Sequence, residues 1–476
     1  MPADHRSALA PLRFPAFRFL AAGRGVNTLG SGVAPIALAF AVQDMTGSVS
    51  DLGLVVGSRT LFNVVFLLFG GVIADRFARH LVMVGSGVLS ACSQAAVAAL
   101  VLTHSANIPL LMALSAANGT FSAFALPASS ALVPQTVPED FRQSANALNR
   151  MVGNAAQIVG ASLGGVLVAT VGPGWGLAAD SASFLLSAAL FLQVRVPKQL
   201  LQGPAGAEDA TAPARTGLIA ELREGWQEFA SRTWVWVVVV AFAFINAGLG
   251  GSVQVLGPAV ADETFGRLWW GAILAAETAG MVVGGLLAMR LRPQRLLLVG
   301  VVCVGAEVAL PLGLGLHLPA VAVAGAGFIA GVCIEQFGIA WEMSLQQEIP
   351  ADRLARVYSY DMVGSFVAIP VAQIAIGPLA LLLGTRAALY SAAAVIVVGT
   401  LAMLSVREVR TLRVRTPRRG PEAADAALTA EPAAGPSLVT MPSPAAEPSP
   451  TAEPSPAADP ALGQDVAAGP DPAATR

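Results

Sequence analysis

Lysine is almost missing from this chain: of 28 cationic side chains only Lys198 is a lysine, and the rest are arginines. Charge of either sign is scarce, at 12% of 476 residues, with three tyrosines, three cysteines and four histidines. Each shortage excludes something. So little charge cannot cover a water-soluble globule of this length. Cys92, Cys303 and Cys333 are far apart and lie inside apolar runs, so they define neither a disulfide framework nor a metal spacing. His5, His80, His104 and His317 stand at ends or turns, again without metal-ligand spacing. A Gly-x-x-x-x-Gly-Lys phosphate loop and a nucleophile elbow are both absent. The chain therefore reads as a non-enzyme with no cofactor, no metal and no nucleic-acid partner, and any work it performs must draw on a gradient.

What it has is apolar length. Hydrophobic residues make up 55% of the chain and the mean hydropathy is +0.66. Runs long enough to cross a bilayer fall at about 17–42, 52–74, 81–102, 108–131, 147–170, 176–195, 234–258, 269–289, 296–316, 319–343, 357–383 and 386–405. With the N-terminus inside, 24 of the 28 cations fall in inside segments, Arg267 and Arg386 in outside turns, and Arg24 and Arg59 within spans. Cationic bias of this kind sets orientation, so both termini are expected in the cytoplasm. The first run is too long for a cleaved leader and reads as a retained span.

The expected organisation is a cytoplasmic N-terminus (1–16), a six-helix bundle (17–195), a linker (196–233), a second bundle (234–406), and a basic segment followed by a tail (407–476). Within the linker, Leu218, Ile219, Leu222, Trp226 and Phe229 recur at helical spacing opposite Glu221, Arg223, Glu224 and Glu228. That pattern fits a helix lying on the membrane surface or one packed on the ends of the spans. Residues 420–476 hold eight acids and one arginine, rich in Pro and Ala, and are expected to be disordered. Without them the remainder carries +5. The two bundles echo each other: Pro138, Asp140 and Gly153 recur as Pro350, Asp352 and Gly364, and Gly70-Gly71 before Arg76 recurs as Gly284-Gly285 before Arg290. The nearly constant spacing between the copies marks two homologous halves.

The turn between spans two and three, Gly71 to Asp75-Arg76 and Arg79, together with the two six-span halves, resembles the major facilitator superfamily. More narrowly, Phe124-Ala125-Leu126-Pro127, Ser144-Ala145-Asn146-Ala147-Leu148 and the string from Asp180 to Ala188 are similar to the drug:proton antiporter-3 group, which includes macrolide and siderophore exporters. The resemblance implies an all-α, twelve-span membrane fold in a bacterial inner membrane, a monomer embedded in lipid that exports a small-molecule, drug-like or natural-product substrate against protons. Proton-coupled uptake of a small metabolite is the alternative on the same fold, and a sensor that no longer transports a remote one. It also implies that Gly71, Asp75, Arg76 and Arg79 form a gate latch, with Asp75 meeting the inner end of span eleven. Here Ala78 and His80 depart from the group's pattern, and Met289 replaces the acid in the second copy.

Charges inside a bilayer are costly, so each is a functional candidate. Arg24 and Glu335 enter from the inner side on spans one and ten, and in the implied fold both helices line the cavity. Glu335 is the expected proton carrier and Arg24 its modulator, with a fixed ion pair between them as the alternative. Arg59 and Glu277 enter from the outer side and are outer-gate candidates. Glu307, in a peripheral span, carries little weight. Asp180 is expected to begin span six and to cap it or hold a neighbouring loop. Asn27, Asn118, Asn246, Gln254 and Gln336, with Phe121 and Phe124, are cavity candidates for a bulky amphiphile; ordinary hydrogen bonding between helices is the alternative for each single amide. Pro35, Pro127, Pro258, Pro311, Pro370 and Pro378 interrupt spans and are expected to bend them.

Overall fold

A long apolar segment in lipid must satisfy its backbone within itself, so each becomes a helix. The computed structural model describes residues 9–76, 79–194, 226–291 and 293–413. Twelve helices in it are long and apolar enough to cross a membrane. Residues 414–476 lie outside the described residues, as do Leu218, Ile219 and Leu222 of the linker.

The first half comprises α1 (Pro15–Thr46), α2 (Val49–Arg76), α3 (Arg79–Leu102), α4 (Ile108–Leu132), α5 (Arg142–Thr170) and α6 (Pro173–Leu192). The second comprises α7 (Thr233–Thr264), α8 (Arg267–Arg290), α9 (Leu296–Gly315), α10 (Ala320–Glu348), α11 (Ala351–Phe366 and Ile369–Leu383) and α12 (Thr385–Ser405). Packing repeats between the halves. α1 lies against α5 and α6 as α7 lies against α11 and α12; α2 pairs with α4 as α8 pairs with α10; α3 touches α4 and α6 as α9 touches α10 and α12. The sequence repeat is therefore also a repeat of neighbours.

Two turn positions strengthen the repeat. His104 and His317 both have positive φ, 53° and 52°, in the α3–α4 and α9–α10 turns, a conformation few non-glycine residues adopt. Gly172 and Gly384, with φ of 95° and 88°, precede α6 and α12. Both pairs are separated along the chain by the same period, to within a residue or two, as the sequence motifs.

Three spans of the second half are not continuous α-helix. A π-helical turn, Ser252–Leu256, interrupts α7 just before Pro258. A 3-10 turn, Gly305–Val308, interrupts α9 just before Pro311, and α11 breaks between Phe366 and Ile369, just before Pro370. Proline lacks an N–H and crowds the carbonyl four residues back, which explains why each break lies upstream of its proline. Pro35 and Pro378 stay inside regular helix.

Candidate functional site

The halves meet along two seams, α5 with α8 and α2 with the second segment of α11. Both sit toward the end of the bundle that carries the α1–α2 and α7–α8 turns, called the far end below. Glycine permits the approach. A Cβ on Gly165 would lie 3.0 Å from the Gly271 Cα, and one on Gly377 would strike the backbone of Ser50. Small residues let helix backbones come this close in a membrane. The first segment of α11, toward the arginine-rich end, packs on α7 and α10 within its own half.

A charged clamp crosses the far end. Arg267, at the start of α8, donates from Nε to Asp262 Oδ1 at 2.8 Å and from Nη1 to Asp44 Oδ2 at 2.9 Å. Its Nη2 bonds to Asp44 Oδ1 as well, and the guanidinium stacks over the Phe40 ring at 4.7 Å. Asp44 belongs to the first half and Asp262 to the second, so one fork-shaped cation ties them together. Arg59 and Glu277, the expected outer-gate pair, are not in this clamp. A signal for it does exist in the sequence: Arg267 is one of only two cations in the turns of this end.

Arg59 and Glu277 instead sit in different halves. Arg59, on α2, has Asp180 of α6 within electrostatic reach. Asp180 does not cap α6, because the helix begins well before it, at Pro173. It is buried about two turns in, 1% exposed, with one carboxylate oxygen lacking a hydrogen-bond partner. Glu277, on α8, lies against Gly331 of α10 and within electrostatic reach of Glu307. Glu307 sits in the 3-10 turn of α9, 2% exposed, with Oε1 unpartnered. The peripheral acid given little weight is thus among the most enclosed charges of the second half.

Arg24 and Glu335 form no ion pair. Glu335 lies on α10 beside Gly284 of α8, and the cation within its electrostatic reach is Arg150 of α5, in the other half. Arg24 turns into the first half, where it lines a cavity of about 260 Å³ with Asn27, Arg59 and a set of serines. A second cavity, about 290 Å³, lies between the halves and is lined by Pro35, Arg59, Asn63, Gln254, Pro258 and Trp270 among others. Arg59 borders both.

Most of the candidate amides follow the alternative and tie helices together. Asn118 donates to Ser90 O at 3.3 Å and Ser93 Oγ at 3.2 Å, joining α4 to α3. Asn246 donates to Ser365 O at 3.0 Å, joining α7 to α11, and Gln336 bonds the Gly284 carbonyl, joining α10 to α8. Gln254 borders the central cavity but also accepts from Gln373 at 2.8 Å. Asn27 alone of the five lines a cavity without such a tie. Phe124 meets Phe66 edge-on at 6.1 Å; Phe121 is half-buried on the same helix. The side chains of Gly71, Asp75, Arg76 and Arg79 lie outside the described residues, although α2 ends and α3 begins there as expected.

One acid escaped the sequence reading. Asp361, in the first segment of α11, accepts from Trp341 Nε1 at 2.9 Å and from Ser365 Oγ at 3.1 Å. Trp341 continues an aromatic series from Phe242 and Phe337, which stack at 4.2 Å, and meets Trp234 edge-on at 5.5 Å. Asp361 stands in a polar turn of a long apolar run, the same signal that singled out Glu335.

Two pseudo-symmetric six-helix halves, packed closely together at one end and bordered by charged cavities, give the chain the architecture of a multi-pass membrane transporter. The Major Facilitator Superfamily sequence model matches residues 20–372, and the chain belongs to that family. Among curated proteins it is similar to the enterobactin exporter EntS of Salmonella paratyphi A, 27% identical over 433 residues, covering 85% of this chain and 95% of the relative. EntS of Citrobacter koseri is 25% identical over 422 residues, covering 85% and 94%. Among solved structures, a bacterial homologue of the human lysosomal transporter Spinster, inward-facing and unoccupied, superposes with TM-score 0.63 at 15% identity, covering 84% of this chain and 98% of that one. A D-xylose–proton symporter gives 0.65 at 14% identity, covering 84% and 100%. At such identity these two structures speak for the fold alone.

Proposed function

We propose that this transporter exports a bulky organic molecule of the siderophore or natural-product kind across a bacterial inner membrane, in exchange for protons, with both termini in the cytoplasm. The observation that carries export is the similarity to siderophore exporters over nearly their whole length. Cation placement supports the orientation, which puts the sealed far end outside and lets the cargo enter from the cytoplasm. Glu335 is the proposed proton carrier. It lies on α10 with a cation from the opposite half, Arg150, in reach, so its charge state is linked to how the arginine-rich ends of the halves sit. The first half is proposed to contribute the latch, with Asp75 meeting the inner end of α11 when the pocket faces out.

The test is flux in inverted vesicles under an imposed pH gradient, screened with chemically diverse dyes, antibiotics and iron chelators. Gradient-dependent accumulation of at least one compound, collapsing when the gradient is dissipated, is expected. In Glu335→Gln, accumulation should fall at least tenfold while exchange of labelled for unlabelled cargo persists. Uptake in the opposite direction, or undiminished accumulation in Glu335→Gln, would overturn the export or the coupling reading respectively.

A further inference from the structure

The first-half cavity is not used by the export scheme above. It lies inside the six-helix bundle, walled by α1, α2, α3, α4 and α6, and its chemistry is one-sided. Two guanidiniums, Arg24 and Arg59, line it, and no carboxylate appears among the described lining residues. Asp180 stands within reach of Arg59 only. Arg24 makes no hydrogen bond or ion pair among the described residues, so one positive charge is left over.

The rest of the wall supplies donors. Several buried serines and threonines in this bundle return their hydroxyl to a carbonyl three residues back, as Ser58, Ser86, Ser93 and Thr136 do. Ser187, on α6, does not. It is 1% exposed, its Oγ has no partner, and it borders the cavity. Buried polar atoms are rarely left unpaired in folded proteins, so an unpaired donor lining the same cavity as an uncompensated guanidinium points to something that accepts hydrogen bonds and carries negative charge. At about 260 Å³ the cavity has room for such a group with water around it, and not for a bulky molecule.

We propose that this cavity is a compact-anion site, with Arg24 and Arg59 supplying charge and Ser187 a hydrogen bond. The occupant is a monoanion of one chemistry with two sources, a free halide or the carboxylate-type head of the transported molecule; only the second rests on the export reading. Either occupant neutralises the surplus cation where an isolated charge is least tolerated.

The experiment uses the full chain, purified and reconstituted in lipid nanodiscs, with the thermal unfolding midpoint followed by tryptophan fluorescence. Sodium chloride is titrated at constant ionic strength against the sodium salt of a bulky sulfonate buffer, then sodium benzoate in the same way, with benzyl alcohol as the uncharged counterpart. Chloride should raise the midpoint saturably. Its apparent affinity should weaken at least tenfold in Arg24→Gln and several-fold in Ser187→Ala, and partly recover in Arg24→Lys. A saturable benzoate effect that shifts the chloride curve assigns the site to a cargo head, whereas a chloride effect alone assigns it to an ion. Superimposable chloride, benzoate and reference curves in the wild-type protein would overturn the proposal, as would wild-type affinities in both Ser187→Ala and Arg24→Lys, variants small enough to fold if Arg24→Gln does not. Vesicle flux is a separate readout: absent flux with intact saturable binding sinks export and leaves the site standing.

Discussion

Gly271 gives the sharpest handle on the sealed far end. A Cβ placed there would lie 2.6 Å from the Ala161 carbonyl oxygen, 2.8 Å from the Gly165 Cα and 2.9 Å from the Gly165 nitrogen. All three are backbone atoms of α5, in the opposite half, so no side chain can swing away to make room. Gly271→Ala must instead part α5 from α8 by on the order of half an ångström, loosening dispersion contacts along the seam. Overpacking of this kind costs about 1–3 kcal/mol. That penalty falls only on the conformation in which the seam is closed, so the open fraction should rise about 5- to 150-fold. The readout is labelling of Thr60→Cys, which borders the cavity between the halves, by a membrane-impermeant maleimide. The background carries serine at Cys92, Cys303 and Cys333, and reagent is applied to each side of the membrane in turn. Gly338→Ala is the control, because a Cβ there meets nothing within 4 Å. Equal labelling rates in Gly271→Ala and the control, with both proteins folded, would refute the claim that this glycine seam holds the far end shut.

Arg267→Gln should act in the same direction but more weakly, since partly exposed ion pairs contribute roughly 0.2–1 kcal/mol each; a few-fold rise in the same labelling rate is expected, and none in Arg386→Gln. Asp75→Asn should insert and fold normally but lose most gradient-driven flux in vesicles, and full flux would rule out the latch. A pH effect is expected outside the membrane. The Glu228 carboxylate is held below its ordinary value of 4.5 by hydrogen bonds from Arg232 and from Arg353, at 2.8 and 2.7 Å. A group whose pKa is depressed by folding stabilises the fold above its unfolded value and loses that contribution as pH falls through the folded one. Limited proteolysis at the 226–231 helix should therefore be faster in Glu228→Gln than in wild type at pH 7, with the gap closing as pH drops below about 4.

Much of this protein was legible from residue order alone. Apolar run length fixes where helices cross a bilayer, because backbone in lipid has no other partner, and twelve runs became twelve spans. The echo between the two bundles fixed two halves, and the resemblance in the turn at Gly71 to Arg79 placed the chain in its family. Each of these is a property of one segment, or of a segment compared with its own copy. Helix breaks were half legible: Pro258, Pro311 and Pro370 mark interruptions, while Pro35 and Pro378 sit in regular helix.

Partnership was not legible, and the physical reason is rotation. A membrane-spanning helix presents side chains in every direction around its axis, and which direction faces a neighbour is set by how all the helices pack. Depth along the span put Arg24 level with Glu335, but packing turned Arg24 into its own bundle and left Arg150 as the cation within electrostatic reach of Glu335. For Asn118, Asn246 and Gln336 residue order left cavity contact and interhelical bonding equally open, and packing made them ties, because an amide in an apolar interior bonds the nearest carbonyl or hydroxyl it can reach. The far-end clamp needed Asp44 from one half of the chain to converge with Asp262 and Arg267 from the other. The spans, their number and their pairing into repeats are written in residue order; which charges meet is settled by the packed bundle and by no single helix.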